Sequence, residues 1–543
     1  DDAMRMGDML CYCDHCVEKF KIWLQNKYET ISHLNVAWNR NYHSFQDIEV
    51  PKTRNTFNDM VDWRMFFVHA LGENVRRRFD IAEREDGSRH PLMCHHVFIR
   101  GFPVTSTAND PWNVGRFGHL HGFTQMDDPM MIDVLRSCAK GKPVISAEML
   151  MLPGYTLDLP RVIDANDVKR FIFSGAAGNL KGFIFWQYRP EILGREAPTW
   201  GLTHLDGSAT PWLEAFAETG QMLQRFGEFM THARPVQARV AILYSPENQI
   251  FVWTATGNEK NATDSLMGFH KALYDRNFNV DFIHPDEFET GLLSGYDVIC
   301  LPFSYWLSKK EIIALRNWVE EGGILIAESF CAAWDVERGR HYTTVPGGDM
   351  AQIFGARQSV VDGISDRVKI ELTTDVPYCA QGSTLYGSLV QATFFIENAV
   401  PVAKYQNGEP AIVRAKFGKG TAVLFGTYLA LPAIRHNLNM NFDFLAGLVQ
   451  MSTSIERPSV IGDIKIRVDV LKYEKTKEVM IIVRNLESNP VQAGITLPIP
   501  NLSSLREVFS GEEVISDKME NLSLLNLHLS INEVQVFHGF TVV

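Results

Sequence analysis

Two rhythms of apolar and polar positions divide the first 225 residues. In 18–28 (EKFKIWLQNKY), Phe20, Trp23 and Leu24 recur with helical spacing, which predicts an amphipathic helix. A second helix is predicted from Asn58 to Arg84, with Met60, Met65, Phe67, Val68 and Leu71 opposite a charged face. Beyond it the rhythm becomes strand, loop, helix. Apolar runs at 91–98 (PLMCHHVF), 118–125 (GHLHGFTQ), 142–149 (KPVISAEM) and 181–188 (KGFIFWQY) read as buried strands, with helices at 133–139 and 166–176 between them. Strands alternating with helices predict parallel βα units, and the four units found make half of an eightfold barrel.

A second α/β rhythm begins after Pro235: strands at 238–245, 279–285, 296–303, 322–329 and 418–429, with helices at 263–276, 309–320 and before Met451. This predicts an open, mostly parallel sheet of the flavodoxin or amidotransferase-like kind. From Ile455 helix signals vanish and short alternating segments follow (IKIRVDVLKY, VMIIVRNL, LSLLNLHL, VQVFHGFTVV), which predict a small antiparallel β-domain. The expected division is therefore a partial TIM barrel at 1–234, an α/β domain at 235–453 and a β-sandwich-like domain at 454–543. A length of 543 residues accommodates these three cores.

Composition narrows the class of partner. A net charge of −12 argues against nucleic acid and anionic membrane surfaces, which reward clustered Lys and Arg. The short basic run Arg76–Arg77–Arg78 lies within a helical pattern and reads as a solvated face. No apolar run approaches the ~20 residues of a membrane span. Eight cysteines in so long a chain do not suggest a disulfide framework, and a reducing, cytoplasmic setting is expected.

Glu148 is the residue most in need of an explanation. It closes a hydrophobic strand at the end where a barrel carries its catalytic groups, and a carboxylate there is costly unless hydrogen-bonded, paired or solvated. A plain strand-end carboxylate facing solvent is the alternative. Trp186, near the rim on the next strand, offers an indole face on which the C–H face of a sugar ring packs, the alternative being a core Trp. Cys11, Cys13 and Cys16 have C-x-C-x2-C spacing, short enough for one tetrahedral zinc, although reduced free thiols fit the same spacing. Cys331 reads as structural, and the glycines at 322–323 and 418–420 as turns, since neither group forms a phosphate loop.

Taken in order, these segments resemble glycoside hydrolase family 42, β-galactosidases of a retaining clan built on (β/α)8 barrels. CYCDHC (11–16) and the stretch after it resemble the family's cysteine cluster, helix and long loop, and NDMVDWRMFFVHAL (58–71) its next helix. KPVISAEM is similar to the nucleophile strand and FWQYRPEILGREAP to the eighth-strand segment, while 238–451 resembles the trimerisation domain. The resemblance implies that Glu148 is the nucleophile, that Trp186 contacts the sugar and that Glu196 contacts substrate hydroxyls. Arg189 and Trp200 are looser matches. Asp127 or Asp128 could line the site from the sixth strand or be an ordinary loop carboxylate. It further implies a β-glycoside or oligosaccharide substrate, a homotrimer, no catalytic cofactor and a structural zinc on Cys11, Cys13 and Cys16, whose fourth Cys lies upstream in some members.

Two departures qualify the resemblance. The family usually carries a His near the position of Trp200, where this chain reads APTWGLTHLDG, and MLMLPGYTLDLP after the nucleophile is unusual. β-Mannosidase, arabinopyranosidase or glucosidase activity therefore stays open beside β-galactosidase. The clan's acid/base is a Glu after an Asn at the end of strand four, and no Asn-Glu pair occurs in residues 1–16. The expectation is a chain that lacks barrel strands one to four and the acid/base, carries the nucleophile, and is inactive alone. The competing expectations are a non-catalytic, sugar-binding trimeric scaffold and a ligand-binding module centred on 238–451.

Overall fold

The computed structural model describes residues 10–54, 57–96, 104–125, 128–149, 164–194, 196–453, 455–519 and 522–541. Three helices, α1 (Asp14–Tyr28), α2 (Ile31–Trp38) and α3 (Asn58–Asp86), precede the first strand. The expected apolar face of α1 is real: Phe20 and Leu24 are fully buried against Trp38, Met60 and Trp63. One buried carboxylate ties the three helices together. Asp62 on α3 accepts from Lys27 Nζ at 2.6 Å, Tyr28 Oη at 2.7 Å and Trp38 Nε1 at 2.8 Å. Gly87 ends α3 in the left-handed region (φ 64°), where a residue without Cβ is unstrained. Arg76 lies on the solvated face of α3, paired with Glu73 and Asp80.

The four expected βα strands are present: β1 (Met93–His96), β2 (Leu120–Gln125), β3 (Val144–Met149) and β4 (Leu180–Phe185). They pair in parallel in chain order. Intervening helices start on sequence-encoded caps. Asp128 accepts from Met130 N ahead of Pro129–Ala139, with Pro129 at the first helical position. Asp164 and Asp167 form a reciprocal capping box on Ala165–Ala177. Outward residues such as Phe123 and Val144 pack on these helices, and Phe185 meets Phe216 of helix Pro211–Arg225 edge-on at 4.5 Å. Strand β4 ends one residue before Trp186, so that residue opens a loop and does not lie on the strand as the pattern 181–188 suggested.

The second domain is a nine-stranded sheet with a parallel half and an antiparallel half. The parallel half runs Gly420–Phe425, Ile324–Ala327, Val298–Leu301, Val240–Leu243, Val280–Ile283, the doubly wound order expected. Strands Pro410–Phe417, Val400–Tyr405, Ala356–Leu372 and Thr384–Ile396 extend it antiparallel, and the hydrophobic pattern does not announce them. Ala356–Leu372 is mostly exposed and polar, which hides it from a search for buried runs. Cys331, beyond strand Ile324–Ala327, is buried and its thiol is pushed well up by that burial, as befits a packing residue.

Residues 455–541 form two facing antiparallel sheets around Ile481, Val483, Ile495, Leu525 and Phe537. The alternate residues of strand Glu478–Asn485 face the other way: Met480 and Ile482 pack on Phe173, Ala176, Met222 and Phe229 of the barrel helices. A two-residue strand at Arg234–Pro235 pairs with Leu471 and Lys472, tying the end of the barrel segment to this sandwich. Buried charges seal the meeting of the three domains. Asp469 receives Arg467 at 2.7 Å and also Arg484. Arg467 donates onward to the carbonyls of Tyr274 (3.1 Å) and Phe278 (2.9 Å), and Arg484 to Ser174. No helix among the described residues is long and apolar enough to cross a membrane.

Candidate active site

Parallel pairing aligns the C-terminal ends of β1 to β4 on one rim, where alternation decides which side chains face inward. Register pairs His95 with Gly122, and Thr124 stands two residues further along the same inward row of β2. A Cβ on Gly122 would meet Met93 Sδ at 2.5 Å, so Met93 fills the floor below. On β3 the pairing shifts between Phe123↔Ser146 and Thr124↔Glu148, leaving Ala147 as an extra residue. This bulge turns Glu148 to the inward side beside Thr124; without it Glu148 would follow Ser146 outward.

The result is a row of inward groups from adjacent strands. Thr124 Oγ1 donates to Glu148 Oε2 at 3.4 Å, His95 Nε2 lies 2.9 Å from Thr124 Oγ1, and His95 Nε2 stands 3.8 Å from Glu148 Oε2. Both His95 and Glu148 are about a quarter exposed, so the row opens to solvent on one side. Burial lowers the pKa of His95, partly offset by the charge of Glu148, which favours neutral imidazole at neutral pH.

Trp186 stands just past the end of β4, its N–H donating to Met149 O at 3.3 Å and its indole Nε1 to Glu196 Oε2 at 3.0 Å. The indole is 36% exposed, enough to present a face. Segment 186–188 is bolted down by Gln187 N to Trp200 O (2.6 Å), Leu202 N to Gln187 O (3.0 Å) and Thr203 N to Tyr188 O (3.1 Å). Thr199 closes the loop with its N–H (2.9 Å) and hydroxyl (2.6 Å) on Glu196 O. The Trp186–Gln187 peptide is cis. Chemically, the rim joins a carboxylate with two polar neighbours, an exposed aromatic face and a second carboxylate held through that aromatic.

The sequence-based candidates divide accordingly. Glu148, Trp186 and Glu196 are brought to one rim. Arg189 is exposed on the loop after β4. Trp200 is buried and serves the site through its backbone carbonyl, so it presents no open face for a ligand. Asp128 caps a helix. Asp127, and all but Met149 of the segment MLMLPGYTLDLP, lie outside the described residues. His95 and Thr124 went unrecognised as site residues; the parity of CHH along β1 was their only sequence signal, because a parallel sheet's register is not written locally.

The cysteine cluster sits at the start of α1, with Cys11 and Cys13 Sγ 3.3 Å apart and all three sulfurs within 4.8 Å of one another. Burial and the neighbouring thiols push Cys16 up to about 12. Three convergent thiols suit a soft divalent cation, which in tetrahedral geometry takes a fourth ligand.

Two family profiles and several β-galactosidases are similar to this chain. Residues 1–226 match the family profile described as β-galactosidase, and 238–451 the one described as β-galactosidase trimerisation domain. The chain is similar to β-galactosidase bgaB of Geobacillus kaustophilus (24% identity over 445 residues, 77% of this chain and 63% of that protein). It is also similar to β-galactosidase BgaA of a Planococcus species (22% over 547 residues, 93% of this chain, 75% of that protein). It thus spans less than two thirds of the length of several curated relatives it matches. Among solved structures, the β-galactosidase of Bacillus circulans sp. alkalophilus shares the fold with a TM-score of 0.79 at 18% identity, covering 98% of this chain and 77% of that one. The β-galactosidase of Halorubrum lacusprofundi does so with a TM-score of 0.74 at 17% identity, covering 98% and 77%.

Proposed function

The chain belongs to the β-galactosidases of glycoside hydrolase family 42, and on that premise we propose that it supplies the nucleophile half of a retaining β-glycosidase acting on terminal β-D-galactosides. The reading is carried by one arrangement: Glu148, turned inward by a bulge, beside the Trp186–Glu196 pair on the C-terminal rim of a parallel half-barrel. Glu148 attacks the anomeric carbon and forms a glycosyl ester while the aglycone oxygen departs with a proton from a second carboxyl group. That group, as carboxylate, then takes a proton from water, whose oxygen displaces Glu148. Trp186 receives the apolar face of the sugar and Glu196 accepts from its hydroxyls. The retaining geometry sets the two carboxyl groups about 5–5.5 Å apart. Among the described residues no second carboxyl group is assigned the acid/base role. Related sugars (mannose, glucose, arabinopyranose) are the alternatives at the same site.

Two further assignments accompany this one. The region matched to the trimerisation domain supports a homotrimer, whose closed ring implies heterologous contacts. Cys11, Cys13 and Cys16 would hold a structural zinc with a fourth ligand from elsewhere, anchoring the start of α1 near the barrel. Cysteines free of disulfides fit a cytoplasmic location.

The test is hydrolysis of nitrophenyl β-galactoside, with the matching mannoside, glucoside and arabinopyranoside, by the whole gene product that contains this chain. Glu148→Gln should reduce kcat by at least about 10³-fold, because it removes the nucleophile. Undiminished hydrolysis by Glu148→Gln would sink the mechanism. Turnover of another glycoside in preference would keep the mechanism and change the sugar. Sugar binding with no turnover of any glycoside would favour the scaffold alternative.

A further inference from the structure

Glu148 reaches the rim with polar neighbours supplied by two other strands. When Thr124 gives its single hydroxyl proton to Glu148 Oε2, the 2.9 Å contact to His95 is made by the tautomer whose Nε2 carries a hydrogen, with Thr124 Oγ1 accepting it. We infer that His95 and Thr124 form a two-link hydrogen-bond relay, His95 Nε2–H to Thr124 Oγ1–H to Glu148 Oε2, that orients the nucleophile carboxylate. The inference rests on the reading of Glu148 as nucleophile. His95 and Thr124 are positioning residues: they act through Glu148 and do not touch the reacting carbon.

Physical chemistry gives the relay a direction. A directed hydroxyl donor fixes the carboxylate's orientation, and polarisation of the hydroxyl by the imidazole N–H strengthens the second link. The same donors stabilise the carboxylate again when it leaves the glycosyl ester. A neutral imidazole can serve, and burial favours that state. Among the described residues, the titratable groups on this rim besides Glu148 include His95, on β1, and Tyr188, Arg189, Glu191 and Glu196, on the loop after β4; β2 contributes Thr124, which does not titrate.

The relay is tested in the whole gene product with nitrophenyl β-galactoside, measuring kcat and KM for Thr124→Val, Thr124→Ser, His95→Ala, the Thr124→Val/His95→Ala double variant and Glu148→Gln. Thr124→Val and His95→Ala should each lower kcat about tenfold with KM little changed. Thr124→Ser should restore kcat, and the double variant should be no worse than Thr124→Val, since the two residues act in series. Thermal melts establish that each variant is folded. An unchanged kcat in folded Thr124→Val, no rescue by Thr124→Ser, or a loss confined to KM overturns the relay. Wild-type activity in Glu148→Gln overturns the glycosidase reading itself, so the two failures are distinguishable.

Discussion

His121 gives a stability prediction whose size can be worked from its surroundings. It lies on the outward face of β2, 1% exposed, with Cys138 Sγ 3.5 Å from its Nδ1. Burial, reinforced by the charge of Lys142, lowers its pKa from 6.5 to about 4. The folded state thus keeps the imidazole neutral, while the unfolded chain protonates it at the ordinary value. Stability from this residue is complete above pH 6.5 and is lost as pH falls through 6.5 toward 4, because the unfolded state then binds the extra proton. A difference of 6.5 − 4 units corresponds to about 3.4 kcal/mol once the loss is complete, and to about 2 kcal/mol by pH 5. The assay compares urea denaturation of the wild type and His121→Gln at pH 7.5 and pH 5. Other titrating groups contribute to both proteins, so the difference between the two pH dependences isolates His121. The variant should lose about 2 kcal/mol less over that interval than the wild type. Equal losses in the two proteins would refute the assignment of a buried, neutral His121.

Further predictions probe the junction, the sugar platform and the thiols. Asp469→Asn leaves Arg467 and Arg484 buried without their carboxylate and should cost about 3–5 kcal/mol, read as a lower urea midpoint. Trp186→Ala removes the indole face and the anchor of Glu196, and should raise KM for nitrophenyl β-galactoside more than Trp186→Phe, which keeps a ring but loses the donor. Zinc content measured by elemental analysis should be lost in Cys13→Ser, with a lower melting temperature; an unchanged zinc content would remove the cluster as its site.

What the sequence discloses and what it withholds follow from the range of each interaction. The helices α1 and α3, the four barrel strands and the parallel half of the second sheet are written in local periodicity, which burial on one face enforces. Glu148 stood out because an apolar strand ending in a carboxylate is unusual. The antiparallel strands between 356 and 417 escaped because their exposed positions break the apolar pattern, and their partners are distant in sequence. His95 and Thr124 escaped for another reason: only the parallel register, and the bulge at Ala147, brings them to Glu148. Trp200 entered only as a looser match within the family resemblance, and the fold uses its carbonyl and buries its ring.

The half-barrel itself yields a final prediction. Among the described residues β1 pairs only with β2, and β4 only with β3, so each has one edge without a partner. On the inward side Ile184 is 53% exposed, an apolar residue that a closed barrel would cover. Open parallel edges beside apolar surface invite edge-to-edge association. The α/β and sandwich domains carry fuller sheets, of nine strands and of four and five, each over a buried cluster of its own. Residues 1–543 expressed alone should therefore associate through the barrel, with proteolysis cutting first in the segments around β1 and β4 and sparing 238–541. Expression with the barrel's first half, in the same chain or supplied separately, should suppress both effects. If residues 1–543 alone remain dispersed, with β1 and β4 as protected from hydrogen exchange as strand Val240–Leu243, the edges are satisfied within this chain and the proposal of a complementary half-barrel fails.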